Sequence, residues 1–446
     1  MAKGLAITRR EFARRRERLV EALDERSIVI VPSAPRSVRN RDIEYPYRPD
    51  SDFYYLTGFS EPDAVAVLVP GRPLGEFLLF CRERDAITDQ WDGAVVGLDG
   101  ASSHYRADDA FPIGDLDDIL PGLMEGRERV YCPLGRYADF DQKLMAIVSR
   151  IRARNASHTA PAEVVALDHL LHEMRLFKSS AELRLIRHAA AISVLAHERA
   201  MTRCHPGRME FELAAELGYV FTACGATASA YPSIVAGGRN GCVLHYTAKS
   251  APLKDGDLVL VDAGAEYGFY AADVTRTYPI NGEFSNNQRA LYSLVLEAQL
   301  AAIDAVRAGV TWEHPHQVAA NILVEGLASL GIGQRSSKGV NLKSMARFFI
   351  QPTGHWLGLD VHDVGDYRLS GEPRLLEPGM VFTIEPGVYI PPDDQRVSAS
   401  WRGLSVRIED MVVVTRTGCE VLSADAPKSV SELEAIVGSA SAEGWL

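Results

Sequence analysis

The chain has 446 residues, enough for two or three domains, and its hydrophobic content of 47% is ordinary for a soluble globular protein. The net charge of -12 argues against a general nucleic-acid-binding protein, and no apolar run is long enough to span a membrane. Six scattered cysteines, none in a CxxC pair, exclude a disulfide framework and suit a reducing cytoplasm.

Short strand-like runs alternate with helical stretches in the first part of the chain. A charged amphipathic helix is predicted first, followed by strands at Ser27–Val31, Ala64–Val69, Glu76–Phe80 and Arg129–Cys132. This mixture predicts an N-terminal α/β domain over residues 1–174.

The stretch TDQWDGAVVG, which contains Trp91, is polar and rich in glycine. Such a segment is typical of an exposed loop, and an exposed tryptophan is often the anchor of an interface. We therefore expect a homo-oligomer, either a dimer or a tetramer. An ordinary packing role for Trp91 is the alternative.

A second domain is predicted over residues 175–446. Near its start, Ser179 is followed three residues later by Glu182, the pattern of a capping box that opens a long helix.

Two aspartates lie in the stretch DAGAEYGFYAADVTRT, which otherwise has the pattern of a β-hairpin. With a turn centred on Tyr267 and Gly268, Asp262 and Asp273 face each other across the two strands. Carboxylates so placed repel each other unless one is protonated or a cation lies between them. The alternative is another register, in which both are ordinary exposed carboxylates.

Three further segments place acidic or imidazole side chains beside apolar runs. They are GHWLGLDVHDVG with His355 and His362, VFTIEPGVYI with Glu385, and LSVRIEDMVVVT with Glu409. A carboxylate in a buried strand is costly unless it is paired or bound to a metal. Each segment also has an ordinary interpretation: a turn acid, a carboxylate paired with Arg407 on a solvent face, or a histidine satisfied in the core.

Together these segments supply four carboxylates and one imidazole, from Asp262, Asp273, His355, Glu385 and Glu409. Four negative charges balance two divalent cations, and oxygen donors with a single nitrogen suit Mn²⁺ or Co²⁺ better than a structural zinc. The set predicts two divalent metal ions, with Mn(II) favoured and Co(II) or Zn(II) as alternatives.

The same segments resemble the metal-ligand motifs of the pita-bread metallopeptidases, a family that includes methionine aminopeptidase, prolidase and aminopeptidase P. The resemblance rests on VDAGAEYGFYAADVTRTYPI, GHWLGLDVHDVG, TIEPGVYI and VRIEDMVVVT. Two further stretches, RNRDIEYPYRPDSDFYYLTGFSEPDA and RLFKSSAELRLIRHA, resemble aminopeptidase P in particular. The resemblance implies an α+β architecture, in which the N-terminal α/β domain precedes a pita-bread catalytic domain.

The resemblance also implies the roles of the metal ligands. All five residues of the set bind metal: Asp262, Asp273, His355, Glu385 and Glu409. Asp273 and Glu409 bridge the two ions, and Glu385 also carries the proton of the attacking water to the leaving nitrogen.

Other residues are implied to surround the substrate. His245, in VLHYT, lies close to the substrate, and His362 steadies the tetrahedral intermediate. Arg407 orients ligand carboxylates, and Trp91 enters the substrate pocket of a neighbouring subunit. The chain departs from the family at Gln351, where a histidine is common; glutamine still forms hydrogen bonds but does not take up a proton.

The expected function is hydrolysis of the first peptide bond when the second residue is proline. The expected partners are a peptide with an N-terminal Xaa-Pro sequence and other copies of the chain, without nucleic acid or membrane. Prolidase, which takes Xaa-Pro dipeptides, is the nearest alternative. A catalytically inactive pita-bread protein that binds peptides or proteins is the alternative from another class.

Overall fold

The computed structural model describes residues 5–154, 159–332, 335–336, 339–340 and 347–440. The chain forms two compact units, one of which spans Ile7–Arg175, while the other spans Leu176–Leu446 together with the residues before Ile7. Within the described residues, no helix combines the length and apolar character that a membrane crossing requires.

The first unit is built on a six-stranded mixed sheet. In spatial order its strands are Asp109–Pro112, Phe77–Cys81, Val65–Leu68, Ser27–Pro32, Arg129–Cys132 and Glu163–Ala166. Its helices are Arg9–Glu21, Ser51–Thr57, Ala86–Asp92, Gly97–Tyr105, Leu116–Met124, Ala138–Ala153 and Asp168–Leu176. A small hairpin joins Val38–Asn40 to Ile43–Glu44. The four predicted strands are confirmed, and all of them except Arg129–Cys132 are buried on both faces and appear in the sequence as continuous apolar runs.

The second unit repeats one pattern, in which a pair of helices precedes antiparallel strands. The helices are Ser180–Thr202, Glu210–Ala223, Asn286–Asp304, Glu313–Ser329 and the short Val430–Ile436. The predicted capping box is confirmed: the Ser179 hydroxyl accepts from the backbone N–H of Glu182, whose carboxylate accepts from the N–H of Ser179.

Two three-stranded antiparallel sheets share the core of this unit with the long helices. One contains Ile234–Gly237, Leu258–Asp262 and Thr275–Pro279, and the other contains Val381–Ile384, Asp410–Val414 and Cys419–Val421. Gly387–Tyr389 pairs with Ser405–Arg407, and a single bridge joins Thr275 to Glu409. The remaining short strands are Ala228–Ser229, Ala265–Tyr267, Tyr270–Ala271, Arg335–Ser336, Gly339–Val340, Arg368–Leu369 and Glu372–Pro373.

The predicted register of the aspartate hairpin is wrong by two residues. Asp262 pairs with Thr275 rather than with Asp273, and the turn lies at residues 268–269, both of which have positive φ. Regular pairing is interrupted at Gly264, where a Cβ would lie 1.7 Å from a backbone oxygen of the facing segment. A shift of two residues leaves side chains on the same face, because they alternate with a period of two.

Candidate active site

Most of the predicted site residues come together in one pocket of about 300 Å³ in the second unit. The pocket is lined by His245, Asp262, Asp273, Gln351, His355, His362, Glu385, Arg407 and Glu409, together with apolar and hydroxyl side chains. Trp91 belongs to the other unit. It lies on the short helix Ala86–Asp92 and is 84% exposed.

Strand ends deliver the acidic side chains to the pocket. Asp262 is the last residue of Leu258–Asp262, and Glu385 directly follows Val381–Ile384. Glu409 stands in the isolated bridge with Thr275, just before Asp410–Val414. The apolar strands are fixed in the core, so the polar residues at their ends are held at defined positions around the pocket.

The carboxylates of the pocket are buried close together. Asp262, Asp273 and Glu409 each expose less than a tenth of their surface. Burial raises the pKa of Asp262, brings that of Glu385 to about 7 and raises that of Glu409 well above its ordinary value. Repulsion between neighbouring carboxylates acts in the same direction. A cation bound among these carboxylates would offset the repulsion between them.

His355 presents one ring nitrogen to these carboxylates. Its Nδ1 lies 3.0 Å from the carbonyl oxygen of Trp356, so Nδ1 carries the hydrogen. Its Nε2 lies 3.4 Å from Asp273 Oδ2 and 3.4 Å from Glu385 Oε1. Burial opposes the charge of His355, but the hydrogen bond and the charge of Asp273 raise its pKa to about 9.

The donor atoms fit a metal centre. One ligand atom each from Asp273, His355 and Glu409 lie within 4.8 Å of one another, a separation that a shared cation can span. Nε2 of His355 is the nitrogen left free for a ligand once Nδ1 is hydrogen-bonded to a carbonyl group. Oxygen donors with one imidazole are typical of hard to borderline divalent ions.

Arg407 is the buried cation of the pocket. It donates from Nη2 to Asp262 at 2.5 Å, from Nε to the Thr275 hydroxyl at 3.2 Å and from Nη1 to the Tyr389 hydroxyl at 2.7 Å. Its position opposite Gly387 in the strand pair directs it toward these groups. One guanidinium group therefore orients Asp262, and its positive charge also acts on Glu385 and Glu409.

The two histidines implied to contact substrate line the same pocket. The ring centre of His362 lies 4.2 Å from that of His355, at an interplanar angle of 69°. Burial and the neighbouring His355 lower the pKa of His362, which favours its neutral form. His245 lies in the segment that follows the 3₁₀ helix Gly238–Cys242.

Three hydroxyl groups that hold the carboxylates were not identified from the sequence. The Tyr231 hydroxyl lies 2.6 Å from Asp262 and 2.5 Å from Asp273, and it is shared between them. Thr275 donates to Glu409 at 2.7 Å, and Thr383 donates to Glu385 at 3.1 Å.

The chain is similar to known metallopeptidases in both of its parts. Residues 184–416 match the model of metallopeptidase family M24, and residues 12–131 match the model of the aminopeptidase P N-terminal domain. Over 434 residues the chain is 42% identical to the Xaa-Pro aminopeptidase of Escherichia coli strain K12, covering 97% of this chain and 98% of that protein. The chain belongs to metallopeptidase family M24.

Solved structures of similar aminopeptidases have the same fold. The chain matches the Pseudomonas aeruginosa aminopeptidase PepP with a TM-score of 0.94 and 52% identity, covering 97% of this chain and 98% of that one. It matches a zinc-substituted Escherichia coli aminopeptidase P in complex with product with a TM-score of 0.92 and 41% identity, covering 97% and 98%. The predicted fold class is thus confirmed: an N-terminal aminopeptidase P-type domain precedes an M24 pita-bread domain.

Proposed function

We propose that this M24 metallopeptidase is an aminopeptidase that releases the first residue of a peptide whose second residue is proline. The observation that carries the proposal is the gathering of the four predicted carboxylate ligands and the predicted ligand His355 in a single pocket, beside His245 and His362. Its support is the likeness to Xaa-Pro aminopeptidases over 97% of the chain.

The metal centre we propose contains two divalent ions. They would be held by the predicted ligands Asp262, Asp273, His355, Glu385 and Glu409. Mn(II) is the ion we favour, because four carboxylates and one imidazole form a hard, oxygen-rich donor set. When bound, the ions supply Lewis-acid polarisation of the scissile carbonyl group and activation of water near neutral pH.

Side chains of the pocket transfer the proton, stabilise the oxyanion and contact the substrate. Glu385, oriented by Thr383 and Gln351, accepts the proton of the attacking water and transfers it to the proline nitrogen as the C–N bond breaks. His362 donates a hydrogen bond to the oxyanion formed at the carbonyl carbon. His245 and Gln351 border the substrate, whose free amine is attracted to the acidic cluster.

We also propose that the protein is a homo-oligomer, a dimer or a tetramer. Trp91 and Ile87 lie on one short helix and are 84% and 70% exposed. Large apolar side chains that are exposed together often mark an interface.

We propose a cytoplasmic location, because the six cysteines, all of which are free, suit a reducing compartment.

The function is tested with three matched peptides and the purified protein loaded with Mn²⁺. We expect cleavage of an Ala-Pro-Ala tripeptide, with release of free alanine and Pro-Ala, and no cleavage of Ala-Ala-Ala. Cleavage of the dipeptide Ala-Pro in preference to the tripeptide would identify a prolidase instead. A protein that binds metal but cleaves none of the three would contradict the proposed activity.

A further inference from the structure

Glu210 is a buried carboxylate that lies outside the pocket. It is the first residue of the helix Glu210–Ala223 and is 0% exposed. No ion pair with Glu210 is found among the described residues. A carboxylate in such a place must be satisfied by hydrogen-bond donors.

Four donors, two on each oxygen, satisfy the Glu210 carboxylate. Oε1 accepts from the backbone N–H of Gly237 and the side-chain amide of Asn240, both at 2.8 Å. Oε2 accepts from the hydroxyl of Tyr246 at 2.8 Å and from the N–H of Ala251 at 2.9 Å. All four donors belong to one segment, residues 237–251, which we call the histidine segment because it contains His245.

The histidine segment forms one wall of the pocket. Leu244, His245 and Thr247 all line the pocket, while Leu244 and Tyr246 pack against a small apolar cluster that includes Tyr389. Gly237 ends the strand Ile234–Gly237, and after the 3₁₀ helix Gly238–Cys242 residues 243–251 contain no strand or helix. The carboxylate of Glu210 therefore supplies acceptors that a sheet ladder would otherwise supply.

We infer that Glu210 is a positioning residue that holds the histidine segment in the conformation that brings His245 to the pocket. The predicted effect on peptide cleavage rests on the proposed function, whereas the predicted effect on the conformation of the histidine segment does not. An ionised carboxylate is a strong acceptor at both oxygens. Glutamine has nearly the same shape, but in either orientation its NH₂ group faces two of the four donors.

Glu216 provides a matched control on the same helix. It is 1% exposed, and its carboxylate pairs with Arg199 at 2.7 Å and with Arg208 at 3.3 Å. None of these partners lies in the histidine segment. Glu216→Gln therefore makes the same chemical change at a similarly buried position whose ion-pair partners lie outside residues 237–251.

Hydrogen–deuterium exchange of the full-length variants, read by mass spectrometry without substrate, tests the structural part. We expect Glu210→Gln to accelerate exchange in residues 237–251 by about tenfold or more, since removal of hydrogen bonds to a charged group loosens their donors. Glu216→Gln should leave exchange in this segment at the wild-type rate. Tyr246→Phe removes a single donor and should produce a smaller acceleration in the same segment, which keeps the test available if Glu210→Gln does not fold.

Peptide cleavage tests the consequence for the site. Below the unfolding temperature of both variants, we expect Glu210→Gln to lower kcat/KM for Ala-Pro-Ala by about tenfold, with most of the change in KM, and Glu216→Gln to leave it unchanged. Unaltered exchange in residues 237–251, or equal acceleration in the control, would overturn the inference. If Glu210→Gln exchanged hydrogen faster in residues 237–251 but cleaved Ala-Pro-Ala with wild-type kinetics, the proposed positioning of His245 by Glu210 would be wrong. If the wild-type protein cleaves no peptide, the proposed function fails, and exchange alone still decides the positioning role.

Discussion

The side-chain amide of Gln351 donates a hydrogen bond to the carboxylate of Glu385 at 2.8 Å. Its oxygen accepts from the hydroxyl of Tyr389 at 2.8 Å, and that hydroxyl accepts from Arg407 at 2.7 Å. Since Arg407 also donates to Asp262, a continuous series of hydrogen bonds connects two carboxylates of the pocket. The position at which the resemblance predicts a histidine is thus in direct contact with the carboxylate of Glu385.

Replacing Gln351 with leucine should lower kcat/KM by about 10- to 100-fold with little loss of bound metal, because a hydrogen bond to a charged group contributes about 1.5–3 kcal/mol. Gln351→His should keep most of the activity and add an ionisation near pH 6.5 to the pH–rate profile, because imidazole titrates where an amide does not. Steady-state kinetics from pH 5.5 to 8.5 and metal analysis provide the test. Wild-type kinetics in the leucine variant would show that the contact has no role in turnover.

Replacing Asp262 or Glu409 with alanine should abolish activity and reduce the bound metal, since each carboxylate supplies charge that the cations require. Dialysis against a chelator should inactivate the wild-type protein, and added Mn²⁺ should restore it. Glu420→Ala, which removes an exposed carboxylate paired with Arg187, is the control and should retain metal and activity. Near-normal turnover in either ligand variant would refute the two-metal centre.

Replacing His362 with alanine should leave the metal content intact and lower kcat by roughly 10²–10³, the loss typical of one oxyanion donor. Elemental analysis and single-turnover rates on the same preparation separate the two effects. Loss of metal in this variant would make His362 a ligand rather than a hydrogen-bond donor.

Light scattering of the purified protein should give the mass of a dimer or a tetramer. Trp91→Ala should raise KM for longer peptides more than for tripeptides if the side chain reaches a neighbouring pocket. Ile87→Ala, on the same short helix, is the comparison for a general weakening of the interface. A fully active monomer would contradict the proposed oligomer and would show that Trp91 is an ordinary surface residue.

Asp52 should make the N-terminal unit sensitive to acid. It is 2% exposed and accepts from Arg175 at 2.6 Å and from Arg136 at 2.7 Å. Burial opposes its charge, but the two arginines and His172 outweigh burial and lower its pKa well below the ordinary value. Because the folded pKa lies below the unfolded one, the resulting stabilisation is present above about pH 4 and is lost as the pH falls through the folded pKa.

Asp52→Asn should therefore lower the free energy of unfolding at pH 7 by about 3–5 kcal/mol, the cost of breaking a buried ion pair. The difference from wild type should narrow below about pH 4, where the unfolded carboxyl group becomes protonated. Urea midpoints at pH 7, 5 and 3.5 provide the measurement. Glu163→Gln, at an exposed pair with Arg129, is the control, with an expected change within about 0.5 kcal/mol. If the difference in unfolding free energy between Asp52→Asn and the wild type did not change with pH, the predicted link between the pKa of Asp52 and stability would be wrong.

The parts of the structure that could be predicted are those with a local signal. Buried strands appear as apolar runs, and the capping box at Ser179 needs only four consecutive residues. Thr275 and Thr383 were within reach, since each lies two positions from a candidate ligand in strand-like sequence, which places it on the same face. Tyr231 gave no such signal, because it follows a short strand in an irregular segment and meets the aspartates only through the tertiary fold.

The hairpin register illustrates a different limit. The glycine alone predicts a turn at Tyr267 and Gly268, whereas Tyr267 pairs with Tyr270 across a turn one residue further along. The sequence pattern does not reveal that Gly264 interrupts the ladder, because the close approach to the facing backbone is a property of the folded segment.

The hydrogen bond between Thr275 and Glu409 joins residues 134 positions apart in the chain. A ribosome that adds roughly 5–20 residues per second needs on the order of ten seconds to cover that distance. During that interval the nascent protein has its two aspartates but lacks Glu409, so the pocket stays incomplete until Glu409 has been added. Copies that terminate before Glu409 therefore lack one carboxylate of the pocket and the partner of Thr275.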